Sequence, residues 1–182
     1  MRIVAGLWRG RPLTAPQGPV TRPTADRVRQ ALFDMLLHAP WGGRDMVNGA
    51  RVLDLFAGTG AFGLEALSRG AAYATFVEHD PAALVALRSN IAACQAQDRI
   101  NVLPMDALAL PPGEPADLVF LDPPYRQDLV SRAVERLRAV RRLAPRALLV
   151  AETARDEPSP ATDVLAERCH GAARISIWHP DL

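Results

Sequence analysis

Lysine is missing from this 182-residue chain: all 21 basic residues are arginine. Cysteine is nearly missing too. Cys94 and Cys169 form neither a zinc-ligand pattern nor a disulfide framework, which leads us to expect a reducing, cytoplasmic setting. Aromatic residues make up only 5%. No apolar run approaches the roughly 18 residues that a membrane span requires, and the stretch from Met1 to Arg9 lacks the apolar core of a secretory signal. These absences argue against membrane proteins, disulfide-stapled scaffolds and structural-zinc modules. What remains is a chain with 49% apolar residues, enough for one two-sided core.

A net charge of +1 hides an asymmetry. Residues 1–30 carry Arg2, Arg9, Arg11, Arg22, Arg27 and Arg29 against Asp26 alone, for +5, and the rest carries −4. A basic arm on a mildly acidic body suggests a polyanionic partner. The arm, residues 1–23, is divided from a body spanning 24–182. Pro12, Pro16, Pro19 and Pro23 bar a long helix. Ile3, Val4, Leu7 and Trp8 suit one short strand or hairpin. Thr24 reads as an N-cap. Val28, Ala31, Leu32, Met35 and Leu36 then recur at helical spacing, with Arg22, Arg27 and Arg29 near the helix's exposed start.

The chain turns on Val52-Leu53-Asp54-Leu55-Phe56-Ala57-Gly58-Thr59-Gly60-Ala61-Phe62-Gly63. An apolar strand ends in a carboxylate, a glycine turn follows, and a helix opens. Glycines let backbone approach a ligand closely. The spacing Gly58-x-Gly60-x-x-Gly63 fits a dinucleotide site or an S-adenosylmethionine site equally. Asp54 inclines the reading to the second: a carboxylate suits an ammonium and a sulfonium, and repels a pyrophosphate. Beyond this stretch strand and helix alternate, with strands at Arg51–Leu55, Tyr73–Glu78, Ile100–Leu103, Ala116–Leu121 and Ala147–Glu152. Helices run over Ala61–Arg69, from Asp80-Pro81 to about Cys94, and over Leu129–Val140. Val164–Arg168 and Arg174–Trp178 read as a terminal antiparallel pair. The pattern predicts an α/β fold, a mostly parallel sheet covered on both faces, with ligands beyond the carboxyl ends of its strands.

Asp54, Glu78, Asp106 and Asp122 each close a predicted strand or follow it closely. Glu78 is placed to accept from a ribose diol, and Asp106 with Met105 to meet an adenine. Asp122-Pro123-Pro124-Tyr125 is the sharpest signal. The prolines stiffen the loop and remove two donors, Asp122 adds an acceptor, and Tyr125 offers a flat face. Such a loop grips an exocyclic amine on a planar base and localises its lone pair as attack begins. The histidines, His38, His79, His170 and His179, fall at no strand end on the rim, which disfavours a NAD-dependent oxidoreductase.

Asp54-x-Phe56-x-Gly58-x-Gly60 followed by Asp122-Pro123-Pro124-Tyr125 resembles the class I S-adenosylmethionine-dependent methyltransferases. With Arg22-Pro23-Thr24-Ala25-Asp26-Arg27-Val28-Arg29 and Trp8-Arg9-Gly10-Arg11, the chain is similar to the RsmD family, bacterial enzymes that modify the N2 amine of a guanine in 16S rRNA. The resemblance implies a Rossmann-like sheet of seven strands, the last antiparallel. It implies S-adenosylmethionine held by Asp54, Phe56, Gly58, Gly60, Glu78 and Asp106, and guanine held by Asp122, Pro123, Pro124 and Tyr125. The partner it implies is 16S rRNA in the small subunit or its assembly intermediate. Separately, we expect a cytoplasmic monomer without metal. Arg9, Arg11, Arg22, Arg27 and Arg29 are the candidate RNA contacts. The residues themselves leave open guanine, adenine and cytosine, and so another RNA or DNA.

Overall fold

A computed structural model describes residues 1–15 and 23–180. Seven strands form one sheet: β1 (Arg51–Leu55), β2 (Tyr73–Glu78), β3 (Ile100–Pro104), β4 (Ala116–Leu121), β5 (Leu143–Ala154), β6 (Ala166–His170) and β7 (Ala173–Trp178). Their order is β3-β2-β1-β4-β5-β7-β6. Neighbours from β3 through β5 are parallel, and β7 runs antiparallel to both β5 and β6. The chain winds outward from β1 in one direction and from β4 in the other. The switch point therefore falls between β1 and β4, where an open α/β sheet leaves a crevice at its carboxyl rim.

The expected helices are present: α1 (Pro23–His38), α2 (Ala61–Ser68), α3 (Pro81–Cys94) and α4 (Leu129–Ala139). Strand alternation sorts the core into two layers. Val52, Leu118, Phe120, Leu148 and Val150 face one side, with α1, α2, α3 and the N-terminal segment. Leu53, Leu55, Val119, Leu121, Leu149 and Ala151 face the other, with α4. Asp80 caps α3 by accepting from Ala83 N–H at 2.8 Å and Pro81 opens the helix, as the Asp-Pro pair predicts. Thr24 lies one residue inside α1 rather than before it. β5 is longer than predicted because it pairs with β4 on one edge and β7 on the other. The terminal hairpin is displaced, β6 ending at His170 and β7 starting at Ala173.

The N-terminal segment forms a hairpin, with Arg2 bridged to Pro12. It lies on the body through buried Ile3, Trp8 and Leu13. Trp8 anchors it, with the Arg99 guanidinium 5.5 Å above its ring. Glu65, wholly buried on α2, accepts the Val4 N–H at 2.7 Å and the Ala5 N–H at 3.0 Å. Arg69 and Arg29 neutralise it at 2.7 and 3.4 Å. This corrects one expectation. Arg29 is not at an exposed helix start: it is 2% exposed, bonded to Glu65, Asp26 and the Arg2 carbonyl. A fully buried carboxylate needs a cation, and Arg29 turns inward to supply it.

Candidate active site at the sheet switch point

The loop after β1 is held in a tight, partly left-handed path: φ is 60° at Phe56, 54° at Gly58 and 77° at Gly60. The positive φ at Phe56 is uncommon for a bulky side chain and marks stored strain. Backbone bonds fix the path. Ala57 N–H reaches the Val77 carbonyl at 3.0 Å, and Gly60 N–H that of Ala57 at 2.7 Å. Gly58 N–H donates to Glu78 Oε2 at 2.8 Å. A Cβ at Gly58 would point into open space, whereas one at Gly63 would lie 2.4 Å from the Phe76 ring. Gly58 thus bares backbone to the crevice, and Gly63 lets α2 close on the sheet. Asn90, buried on α3, supports the loop from behind. Its Nδ2 donates to the Thr59 and Thr14 carbonyls, each at 2.9 Å, and its Oδ1 accepts from Thr14 N–H at 2.7 Å.

Asp54 is 1% exposed, and its Oδ2 accepts the Gly63 N–H at 2.9 Å. Burial holds its carboxyl well above the usual range, opposed by the Gly63 bond and reinforced by the charges of Asp122 and Glu78. Glu78 Oε1 accepts from His79 and Asp80 N–H, both at 2.7 Å. Asp106 is exposed and caps a short 3-10 turn through Leu108 N–H at 2.9 Å.

Asp122 follows β4, directly across the switch point. Burial first, and the Glu152 charge second, push its carboxyl up to about 7. Its side chain is exposed and lines a cavity. Tyr125, 40% exposed, donates its hydroxyl to Glu152 Oε1 at 2.5 Å. Burial first, then that bond and the charges of Glu152, Asp122 and Glu157, raise its phenol above the ordinary value, so it stays a donor. Glu157 ties the loop to β5: it accepts Arg126 N–H at 2.7 Å and Ala154 N–H at 2.6 Å.

One cavity of about 570 Å³ joins these parts. Asp54, Phe56 and Gly58 line it from β1 and its loop; Asp122, Tyr125 and Glu152 line it from β4 and β5. Pro123, Pro124, Gly60, Glu78 and Asp106 are not among its lining residues, though Glu78 is bonded to Gly58. Among the described residues no cluster of three or more His, Cys, Asp and Glu is placed to hold a metal ion.

Sequence reasoning missed two titratable lining residues, Glu152 and His170. Glu152 ends the apolar alternation of β5 just as Asp122 ends that of β4, a signal that was there to be read. His170 does reach the rim, contrary to expectation, because β7 returns antiparallel beside β5 and carries the β6–β7 turn to the carboxyl edge. Of the arginines, Arg9, Arg11 and Arg27 are exposed, and Arg11 donates to the Ala93 carbonyl at the end of α3. Arg22 lies outside the described residues.

The family model "Conserved hypothetical protein 95" matches residues 1–178. "Ribosomal RNA small subunit methyltransferase D" of Escherichia coli (strain K12) is 43% identical over 155 residues, 84% of this chain and 74% of that protein. The chain belongs to the RsmD family. A solved E. coli protein, yhhF, is 37% identical at TM-score 0.84, covering 98% of this chain and 97% of that one. The Thermus thermophilus 16S rRNA N2 G1207 methyltransferase RsmC, solved with AdoMet and guanosine, has TM-score 0.67 over 91% of this chain and 45% of its own; at 22% identity the likeness is one of fold. As an RsmD-family member with a class I methyltransferase sheet, the protein is an enzyme of methyl transfer, and S-adenosylmethionine is its methyl donor.

Proposed function

We infer that the protein transfers a methyl group from S-adenosylmethionine to the exocyclic N2 amine of a guanine in 16S rRNA. One observation carries this reading: Gly58 on one side of the sheet's switch point and Asp122 and Tyr125 on the other line the same cavity.

The chain's residues fit the donor. Gly58 offers bare backbone where a side chain would stand, and Asp54 offers a carboxylate suited to positive charge. Phe56, Gly60, Glu78 and Asp106 complete the cofactor set of this reading, Glu78 facing the ribose and Asp106 the adenine edge. When bound, S-adenosylmethionine supplies an electrophilic methyl carbon on a sulfonium.

The acceptor base leaves its stack to reach the rim. Asp122 and a carbonyl of Pro123 or Pro124 accept the two N–H bonds of its amine, and the lone pair is localised toward the methyl group. Tyr125 stacks on the ring. Asp122, held near 7, is matched to take the proton that the amine sheds. Arg9, Arg11, Arg22 and Arg27 hold phosphates around the extruded base. The enzyme acts as a cytoplasmic monomer on the small subunit or its assembly intermediate.

The test is labelled-methyl transfer to small subunits from a strain lacking the corresponding methyltransferase, followed by nucleoside analysis. The reading expects N2-methylguanosine; no incorporation, or label in another nucleoside, refutes it.

A further inference from the structure

Guanine, adenine and cytosine all carry an exocyclic amine, and they differ at the ring nitrogen beside it. Guanine N1 bears a hydrogen and donates. Adenine N1 and cytosine N3 carry lone pairs and accept. A site that reads guanine needs a second acceptor next to the one that grips the amine.

The sheet supplies one. Leu121 of β4 is in register with Ala151 of β5. The following residues, Asp122 and Glu152, therefore stand side by side on neighbouring parallel strands, whose backbones run roughly 5 Å apart. Alternation gives them the same face: Phe120 before Asp122 and Val150 before Glu152 both belong to the α1–α3 side of the core. Both carboxylates line the 570 Å³ cavity. Beneath them the packing is apolar, from Leu32, Phe62, Phe120, Val150 and Ile175, with Phe62 and Phe120 stacked at 5.2 Å. Glu152 Oε1 is occupied by the Tyr125 hydroxyl. Oε2 accepts no hydrogen bond from any described residue.

We propose that Glu152 determines the base: its Oε2 accepts N1–H of guanine while Asp122 accepts from the 2-amino group. This rests on the acceptor reading above and names the residue that makes the acceptor guanine. Tyr125 has two tasks in it, stacking on the ring and keeping Glu152 from swinging away. Adenine or cytosine would press a lone pair against a carboxylate, so rejection comes from a built-in repulsion as much as from a lost bond.

Nucleoside binding to protein saturated with S-adenosylhomocysteine tests this by calorimetry. The probes are guanosine and 2-aminopurine riboside, which keeps the 2-amino group but has a lone pair at N1. The wild-type protein should prefer guanosine by about tenfold or more. In E152Q the side-chain amide can donate to that lone pair, and the preference should shrink to within about threefold or reverse, with S-adenosylhomocysteine affinity within about twofold of wild type. Equal wild-type binding of the two nucleosides overturns the proposal. So does an E152Q protein that keeps the full preference, since discrimination at O6 alone would survive that change. Should E152Q fail to fold, E152A takes its place, and a preference kept in full by that variant overturns the proposal. The product analysis above is independent: N2-methylguanosine together with an unaltered E152Q preference removes the role of Glu152 and leaves the activity standing.

Discussion

The carboxylates on either side of the switch point are built in opposite ways. On the β1–β2 side, Asp54 and Glu78 already accept backbone N–H bonds, from Gly63 and from Gly58, His79 and Asp80. On the β4–β5 side, Asp122 accepts none from any described residue, and Glu152 accepts only a tyrosine hydroxyl. The first pair is locked into the strand–turn–helix that it helps to shape. The second keeps open acceptor capacity in a desolvated crevice, which raises Asp122 to about 7. On the proposed reading, the first half holds the cofactor and the second is completed by a substrate that brings its own donors.

The largest effect expected from this contrast is in catalysis. Asp122→Ala should lower single-turnover methyl transfer at saturating S-adenosylmethionine by about 10²–10³-fold and leave S-adenosylhomocysteine affinity within about threefold. Asp54→Ala should instead lose that affinity. If the two variants fail in the same assay, the halves are not functionally separate.

Stability should follow the same divide. Glu65 braces α2 behind the cofactor loop, wholly buried between two arginines. Glu65→Ala removes the buried partner shared by Arg29 and Arg69, leaves them only Asp26 at 2.9 Å and Asp34 at 3.9 Å, and should cost about 3 kcal/mol. That is a fall in Tm of roughly 10 °C, read by calorimetry. Glu157→Ala, which frees one backbone donor of the Asp122–Arg126 loop and one of β5, should cost only about 1–2 kcal/mol. A larger loss from Glu157 than from Glu65 would invert the comparison.

How much of this was legible in the sequence follows from the same division. The Asp54–Gly63 stretch could be read because its determinants are contiguous: strand, carboxylate, glycine turn and helix succeed one another within a dozen residues. β1 and α2 start at their predicted bounds for that reason. Glu152 acquires its meaning only from strand register, which brings it beside Asp122, 30 positions earlier. Arg29 looks like one more residue of a basic arm until the fold delivers Glu65 to it. His170 reaches the rim through a strand direction that hydrophobic alternation does not encode.

The pH response is the next, smaller effect. In the proposed role Asp122 can take the amine proton only when ionised, so kcat/KM should rise with pH, with a midpoint near 7 in the free enzyme. Activity is lost as pH falls through that value. Asp122→Asn, which cannot ionise, should flatten the step; a wild-type profile flat from pH 5.5 to 8.5 would count against an Asp122 in this environment. Smallest of all is the effect at the exposed arginine of α1. Arg27→Ala should lower the salt slope of RNA binding by about 0.7–0.9 if it holds one phosphate, whereas Arg29→Ala should lower stability and leave the slope alone.

The central claim is that donor and acceptor meet across a single cavity. Its most direct test is a structure determined with S-adenosylhomocysteine and guanosine together. The account predicts the cofactor against Gly58 and Asp54 and the guanine 2-amino group against Asp122. Sulfur and nitrogen should be separated by about 5 Å, the space of one methyl group in a near-attack arrangement. Guanosine lying in the neighbouring cavity lined by Pro123, Pro124, Pro158 and Pro160, or with its amine turned away from Asp122, would contradict it.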